Sequence, residues 1–369
     1  MTSKILQIIP TLVRGGAEKQ LTLLATGMNR DRFETHVCLL TDSGPYRETL
    51  EEVGIPIHEI GKRRKLDFAA YYRLKKLIRK IQPDLVHTWI FAANSYGRYA
   101  ALNAGVKKII AGERSVDPWK RWHELAIDRY LAKRTSGLVT NSRGVVEYYA
   151  THGIDADRFT VIPNGIDLPD QQPVEEMRQV LLQALGLPEQ TKLVGSVGRL
   201  WPQKRIKDLI WAADLIKCSR DDVHVLIIGD GPLRSNLENF QRQVKIEDRV
   251  HFLGERPDAR EIISCLDCFW LASDYEGQSN AVMEAMAAGV PVVASDIPGN
   301  RDLVVDGSTG FLFETGDRAG LAQKTESILN DASIAGKLGE NAVERMKSEF
   351  TTSRMVAAYE VYYSGLLEE

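Results

Sequence analysis

The chain has 369 residues, 44% apolar and 26% charged, enough for two globular domains of ordinary composition. Its longest run free of Asp, Glu, Lys and Arg is the 13 residues Leu85–Gly97, short of the ~18 that a membrane-spanning helix needs, so no integral membrane segment is expected. The net charge of −3 hides an asymmetry: residues 1–168 carry 26 Lys and Arg against 18 Asp and Glu, and residues 169–369 carry 21 against 32. A basic half beside an acidic half implies that only the first meets an anionic surface.

The opening run Ile5-Leu6-Gln7-Ile8-Ile9-Pro10 is too short for a signal peptide and has no small-residue cleavage site. Four cysteines do not make a disulfide framework, so the expected compartment is the reducing cytoplasm. In chain order, Ile5–Ile9, His36–Leu40, Pro56–Ile60, Asp84–Thr88, Lys108–Ala111 and Gly137–Thr140 read as strands. Leu193–Val197, Val223–Ile228, Val250–Leu253, Cys268–Ala272 and Pro291–Ala294 continue the series. Helical patterns lie between them, among them Glu18–Met28, Ala69–Ile81, Pro232–Val244 and Ala281–Ala288. This alternation predicts an α/β protein with doubly wound parallel sheets. A boundary is expected near residues 164–176, where the polar linker Pro169-Asp170-Gln171-Gln172-Pro173 precedes a helix over Val174–Leu185. Residues 1–168 and 169–349 then form two domains facing a cleft, which strand carboxyl ends would line.

Glycine turns follow strands at Gly15-Gly16, Gly195–Arg199 and Gly229–Pro232. None completes a dinucleotide fingerprint, since Arg234 stands where a third glycine would, and there is no Walker Gly-Lys-Ser/Thr. Taken singly, each turn is an ordinary strand-to-helix connection. Arg199 and Lys204, five residues apart beyond a strand end, suit a diphosphate: Arg grips two oxygens and Lys supplies a point charge. Pro202 breaks the segment, so Lys204 is expected to open a helix.

The richest stretch is 273–291. Ser279 and Asn280 are good N-caps, and Gly289 and Pro291 stop a helix. Glu276 therefore falls on the loop before that helix, and Glu284 about a turn inside it as the only charge on an apolar helix. Two carboxylates so placed suit separate parts of one elongated ligand, with free helix-start N–H groups between them for phosphates.

Glu276 and Glu284 resemble the Glu-x7-Glu motif of retaining glycosyltransferases of the GT-B fold, and in particular family 4, the group 1 glycosyl transferases. The resemblance covers nearly the whole chain through Gly15-Gly16-Ala17-Glu18, Val161–Asp167, Gly198-Arg199-Leu200 with Lys204, Gly229–Pro232, Glu276–Pro291 and Asp306–Gly310. It implies a C-terminal domain that binds a nucleotide-sugar donor (a UDP-sugar ahead of a GDP-sugar), an acceptor on the N-terminal domain, and no required metal or cofactor. It also implies a last helix, within 350–369, that packs back on the first domain.

Carried over by position, Arg199 and Lys204 hold the diphosphate, Glu284 the ribose and Glu276 the transferred sugar. Backbone groups of Gly277, Ser279, Asn280, Gly15 and Gly16 close on the phosphates, and the Gly254–Arg256 region, with Arg256, shapes the base site. Retention implies front-face attack, the donor phosphate taking the acceptor proton, so no protein base is assigned. Many relatives place a His after the strand matching Lys108–Ala111, whereas this chain has Glu113-Arg114 there. Glu113, Arg114 and a cleft-facing His87 are therefore the acceptor candidates. The departure leaves open a non-catalytic nucleotide-sugar binder beside a transferase that builds surface polysaccharide or glycolipid, while a GT-B sugar-nucleotide epimerase is the alternative that the set Arg199, Lys204, Glu276 and Glu284 disfavours.

Cys265-Leu266-Asp267-Cys268 lacks a second ligand pair for zinc and reads as core. Lys62-Arg63-Arg64-Lys65, the basic face of the following helix (Arg73, Lys75, Lys76, Arg79, Lys80) and Trp119-Lys120-Arg121-Trp122 read either as solvated surface or as contact with anionic lipid, where a lipid-linked acceptor would sit at the inner face of the cytoplasmic membrane. No nucleic-acid module is recognisable.

Overall fold

The protein, described here as a computed structural model covering residues 2–168 and 174–368, divides into two units. The first is Met1–Gly165 with Thr352–Glu369, and the second is Ile166–Thr351. The expected linker Pro169–Pro173 lies outside the described residues.

The first unit holds strands β1 (Ser3–Ile9), β2 (Phe33–Leu39), β3 (Ile57–Glu59), β4 (Leu85–Trp89), β5 (Lys108–Glu113), β6 (Gly137–Thr140) and β7 (Phe159–Val161). They form one parallel sheet in the order β3-β2-β1-β4-β5-β6-β7. Ile5, Leu6, Ile8 and Ile9 are all fully buried, because helices cover both faces of the sheet and β1 has no solvent side. On one face, Leu21 and Leu24 of helix Gly16–Gly27 pack with Tyr359 and Tyr363 of the last helix, Thr352–Glu368. Leu74 and Ile78 of helix Phe68–Ile81 and Ala93 of helix Ile90–Ala104 share the second cluster with Leu6 and Ile8.

The last helix is keyed to the sheet by polar groups. Gln7 Nε2 donates to Tyr363 Oη (3.1 Å), and Trp89 Nε1 donates to Gln7 Oε1 (2.8 Å). Gly165 has no room for a side chain, since a Cβ would lie 2.7 Å from Thr352 Cα.

The second unit holds β8 (Lys192–Val197), β9 (Val223–Ile228), β10 (Val250–Gly254), β11 (Cys268–Leu271), β12 (Val292–Ser295) and β13 (Phe311–Phe313). Their order is β10-β9-β8-β11-β12-β13, again parallel. Each sheet reverses its winding once, between β1 and β4 and between β8 and β11. At such a point neighbouring loops diverge to opposite faces and leave a crevice at the strand carboxyl ends. Strands β7 and β13 are absent from the sequence reading; each has three residues and lies at a sheet edge.

Candidate functional site

The crevice of the second unit is built by the segments after β8 and β11. The segment after β8 is fixed by main-chain bonds to the turn after β9: Gly198 N–H donates to Ile228 C=O (2.9 Å), and Leu200 N–H donates to Asp230 C=O (2.9 Å). Gly229 has φ +128°, and a Cβ there would lie 2.1 Å from the Gly198 carbonyl oxygen, so only glycine permits this approach. In this structure the Gly229–Pro232 turn braces the Arg199 loop.

Pro202–Lys204 is a single 3-10 turn, and Arg205 follows in the left-handed region (φ 49°) before helix Ile206–Lys217. Lys204 therefore ends a turn and does not open the helix, contrary to the sequence expectation. Arg205 is held there by Asp208 Oδ2 (2.6 Å) and Asp274 Oδ1 (3.0 Å).

This turn aims Lys204 at the neighbouring segment. Lys204 Nζ lies 2.5 Å from Glu276 Oε1, with the side chains 18% and 12% exposed. Ser273 Oγ donates to the same carboxylate oxygen (2.7 Å). The backbones are joined as well, Asp274 N–H donating to Gln203 C=O (2.9 Å) and Gln203 Nε2 to Tyr275 C=O (2.5 Å). Arg199, in the same β8 segment, is exposed and makes no side-chain ion pair or hydrogen bond among the described residues.

Behind Glu276, Gly277, Gln278 and Ser279 are buried, and Ser279 caps helix Asn280–Ala287 by accepting from Val282 N–H (3.5 Å). Glu284 is half-buried on that helix, between the fully buried Val282, Met283, Ala285 and Met286. Asn280 begins the helix and is half-buried. In the chain, the N-terminus of this helix therefore lies between the two carboxylates, and its dipole favours negative charge.

A set of buried polar groups that the sequence reading did not single out supports this loop. Ser295 Oγ, at the end of β12, donates to Ser273 C=O (2.7 Å), and Asn300 Nδ2 donates to Ser295 C=O (2.9 Å) and approaches Ser295 Oγ (3.3 Å). Ser273, Ser295 and Asn300 are all fully buried. Gly299 sits against the loop itself, since a Cβ there would lie 1.7 Å from the Gly277 carbonyl oxygen. The only linear signal is the small-residue spacing in Ser295-Asp296-Ile297-Pro298-Gly299-Asn300.

Other expected residues lie elsewhere. Arg256 follows β10, two strands away from β8, and its Nε and Nη2 donate to the two Asp258 carboxylate oxygens (2.7 and 2.6 Å). Gly15 and Gly16 belong to the first unit, where they open helix Gly16–Gly27 beside the reversal of that sheet.

His87, expected to face a cleft, is enclosed in the first unit. Its Nδ1 lies 2.7 Å from Tyr363 Oη and its ring 4.5 Å from that of Trp89. Burial, and then the charge of Arg114, hold its pKa well below the ordinary histidine value. Glu113 and Arg114 are interior too, at 3% and 8% exposure. Glu113 accepts from Asn94 Nδ2 (2.9 Å) and Tyr149 Oη (3.0 Å), with Lys120 Nζ at 3.6 Å. Arg114 donates to Tyr359 Oη (3.1 Å) and Asn164 Oδ1. Only His87 was expected to face a cleft, from its place at a strand end; aromatic side chains of the last helix enclose it and Arg114, and a network of charged groups encloses Glu113.

Cys265 and Cys268 are core residues, and burial pushes the Cys265 thiol up to about 11. Among the described residues no cluster of three or more His, Cys, Asp or Glu could hold a metal ion, and no helix is long and apolar enough to cross a membrane.

Residues 177–345 match the family model of glycosyl transferases group 1, and residues 14–169 match that of glycosyltransferase family 4. The chain is 33% identical over 270 residues to the UDP-Gal:alpha-D-GlcNAc-diphosphoundecaprenol alpha-1,3-galactosyltransferase of Escherichia coli, covering 68% of this chain and 67% of that one. It is 30% identical over 184 residues to the N-acetyl-alpha-D-glucosaminyl L-malate synthase of Bacillus anthracis, covering 50% and 48%. The crystal structure of Anabaena HepE in complex with UDP-glucose matches with a TM-score of 0.87 at 26% identity, over 98% of this chain and 99% of that one. Two models that together run from residue 14 to residue 345, and an E. coli relative at this identity and coverage, place the chain: it belongs to the family 4, group 1 glycosyltransferases, with two Rossmann-like domains of the GT-B fold.

Proposed function

We propose that the protein is a retaining, metal-independent glycosyltransferase. It moves a hexose or N-acetylhexosamine from a nucleotide sugar, a UDP-sugar before a GDP-sugar, to a glycan or lipid-linked acceptor in cell-surface polysaccharide or glycolipid synthesis. The observation that carries this reading is the Lys204–Glu276 pair at the strand reversal, beside the start of the helix that bears Glu284. The E. coli relative is named for a UDP-Gal donor and a diphosphoundecaprenol-linked acceptor, and the HepE structure holds UDP-glucose. A Mycolicibacterium smegmatis relative, 29% identical over 253 residues, is named for GDP-mannose.

Cleavage of the sugar–phosphate bond builds negative charge on the departing diphosphate. Arg199, Lys204 and the N–H groups of Gly277–Asn280 supply fixed positive charge and dipoles against it. A donor phosphate arriving at Lys204 displaces Glu276, which is then free to accept from hydroxyls of the transferred sugar, while Glu284 accepts from the ribose hydroxyls. The Gly254–Arg256 region shapes the base site. The acceptor attacks on the face the phosphate leaves, and the phosphate takes its proton, so no protein base is required. The site of action is the cytoplasmic face of the membrane.

The test is thermal unfolding against a panel of UDP- and GDP-sugars, since a specific ligand stabilises by mass action. Transfer from the stabilising donor, in EDTA, follows with the product's anomeric configuration read by NMR. A retained configuration with undiminished turnover in EDTA is expected; inversion or loss of turnover in EDTA overturns the corresponding part of the proposal.

A further inference from the structure

Arg205 has a left-handed backbone (φ 49°), which glycine adopts freely and an L-residue adopts only at a cost. Gln82 and Lys245 share it just past the ends of helices, where it is ordinary. Arg205 stands instead between Lys204 and the start of helix Ile206–Lys217. A strained arginine beside a cation of the site implies that its side chain does something glycine cannot.

Its guanidinium is held on three sides. Nε donates to Asp208 Oδ2 (2.6 Å), and Nη1 donates to Asp274 Oδ1 (3.0 Å). Nη2 lies over Gly316 in the loop after β13, where a Cβ would come within 3.2 Å of it. Asp208 is buried, and its other oxygen accepts from Arg318 Nε (2.7 Å) at the start of helix Arg318–Asn330. Asp274, Arg205, Asp208 and Arg318 thus alternate in charge, from the segment after β11 to the helix after β13. A lone ion pair as exposed as Arg205–Asp274, 30% and 40%, holds little. Here the buried Asp208 fixes the guanidinium before Asp274 meets it.

The segments after β8 and β11 are matched along their length. Gln203 bonds to Asp274 and Tyr275, Lys204 to Glu276, and Arg205 to Asp274. When a donor phosphate takes Lys204 from Glu276, the Arg205–Asp274 pair, two residues before Glu276, is a charged tie that stays closed.

We propose that Arg205 is a positioning residue, holding the segment that bears Glu276 against the Lys204 turn while the donor phosphate engages Lys204. The inference rests on the proposed exchange of Lys204 from Glu276 to a donor diphosphate.

Hydrogen exchange over residues 273–279, read by mass spectrometry, tests the tie without any ligand. Lys204→Ala opens the contact that a donor would displace, and the segment should stay protected in it. Adding Arg205→Ala should speed exchange there about tenfold or more. Equal exchange in the two proteins, or a segment already unprotected in Lys204→Ala alone, overturns the inference.

Transfer is then measured with Lys204 intact. Arg205→Ala and Asp274→Ala should each lower kcat about tenfold, with UDP affinity by calorimetry within about twofold of wild type. The double variant should lose no more than either single one, because both remove the same contact. Arg205→Lys should restore part of the rate. Arg205→Gly should not, although it relieves the backbone and should melt no lower than Arg205→Ala. Wild-type turnover in Arg205→Gly, or a loss confined to UDP affinity, overturns the inference. Lost protection in the Lys204→Ala, Arg205→Ala protein with no transfer by the wild type from any donor sinks the proposed activity alone. Wild-type transfer with protection unchanged in that protein sinks the positioning role alone.

Discussion

Lys204 Nζ and Glu276 Oε1 are 2.5 Å apart, although 72 residues separate them in the chain. The cation and the carboxylate therefore neutralise one another, and under the proposed function an arriving donor phosphate replaces the contact. Lys204→Ala removes a charge-assisted contact worth about 1.5–3 kcal/mol, so UDP affinity measured by calorimetry should fall about 10–100-fold. Glu276→Gln removes the competitor for Lys204, and UDP should bind it at least as tightly as the wild type. Weaker UDP binding by Glu276→Gln contradicts this exchange.

The chain of contacts from Asn300 through Ser295 and Ser273 to Glu276 holds the carboxylate in place. Ser273→Ala loses one hydrogen bond to a charged group, about 1.5 kcal/mol. Steady-state kinetics should show kcat reduced about tenfold with the donor KM little changed. Gly299→Ala forces a methyl onto the Gly277 carbonyl and should lower kcat further while the circular dichroism spectrum is retained. A rise in KM alone would assign these residues to binding.

Burial pushes the Glu113 carboxyl up to about 7, Lys120 opposing and Asp128 and Asp117 reinforcing the shift. The folded chain therefore holds a proton that the unfolded chain has released above its ordinary value of 4.5. The contribution to stability is complete below that value and is lost as pH rises through about 7. Glu113→Gln keeps the contacts to Asn94 and Tyr149 and should flatten the fall in melting temperature between pH 5 and 7. An identical slope in wild type and variant refutes it.

The opposite sign applies in the second unit. His224 Nδ1 lies 2.9 Å from His251 Nε2, and burial, then the neighbouring His251, lower the His224 pKa from 6.5 to about 4. The folded pair is neutral where the unfolded histidines are charged, so stability is present above about 6.5 and is lost as pH falls through about 4. His224→Phe keeps an aromatic ring at the stacked position and should reduce the acid sensitivity of unfolding, followed by calorimetry between pH 4 and 7.

What was legible in the sequence follows the range of the forces involved. Strands buried on both faces, such as Ile5–Ile9 and Val223–Ile228, are written as apolar runs broken only by Gln7 and His224, and the helix Val174–Leu185 by its periodicity. The edge strands Phe159–Val161 and Phe311–Phe313 are three residues each, too short for any period, and exist because a neighbour offers hydrogen bonds. Glu276, Ser279 and Glu284 could be placed because a cap and a helix stop fix the local frame. Lys204 could be chosen as a residue but not as a geometry, because the left-handed Arg205 depends on Asp208 and Asp274. Ser273, Ser295 and Asn300 were missed because the contact that joins Ser295 and Asn300 to Ser273 is tertiary. The burial of His87, Glu113 and Arg114 was illegible for the same reason: Tyr359 and Tyr363, more than two hundred residues later, enclose His87 and Arg114, while Tyr149 and Lys120 enclose Glu113.

The central claim is that the second unit's crevice binds a nucleotide sugar and that Glu276 acts on the sugar it carries. The most direct test is to measure donor affinity and sugar transfer side by side in wild type and Glu276→Ala. Donor binding that survives in Glu276→Ala, with transfer and donor hydrolysis reduced by orders of magnitude, is the predicted result. A wild type that binds donor but never turns over with any acceptor, or a Glu276→Ala variant that transfers at the wild-type rate, would contradict it.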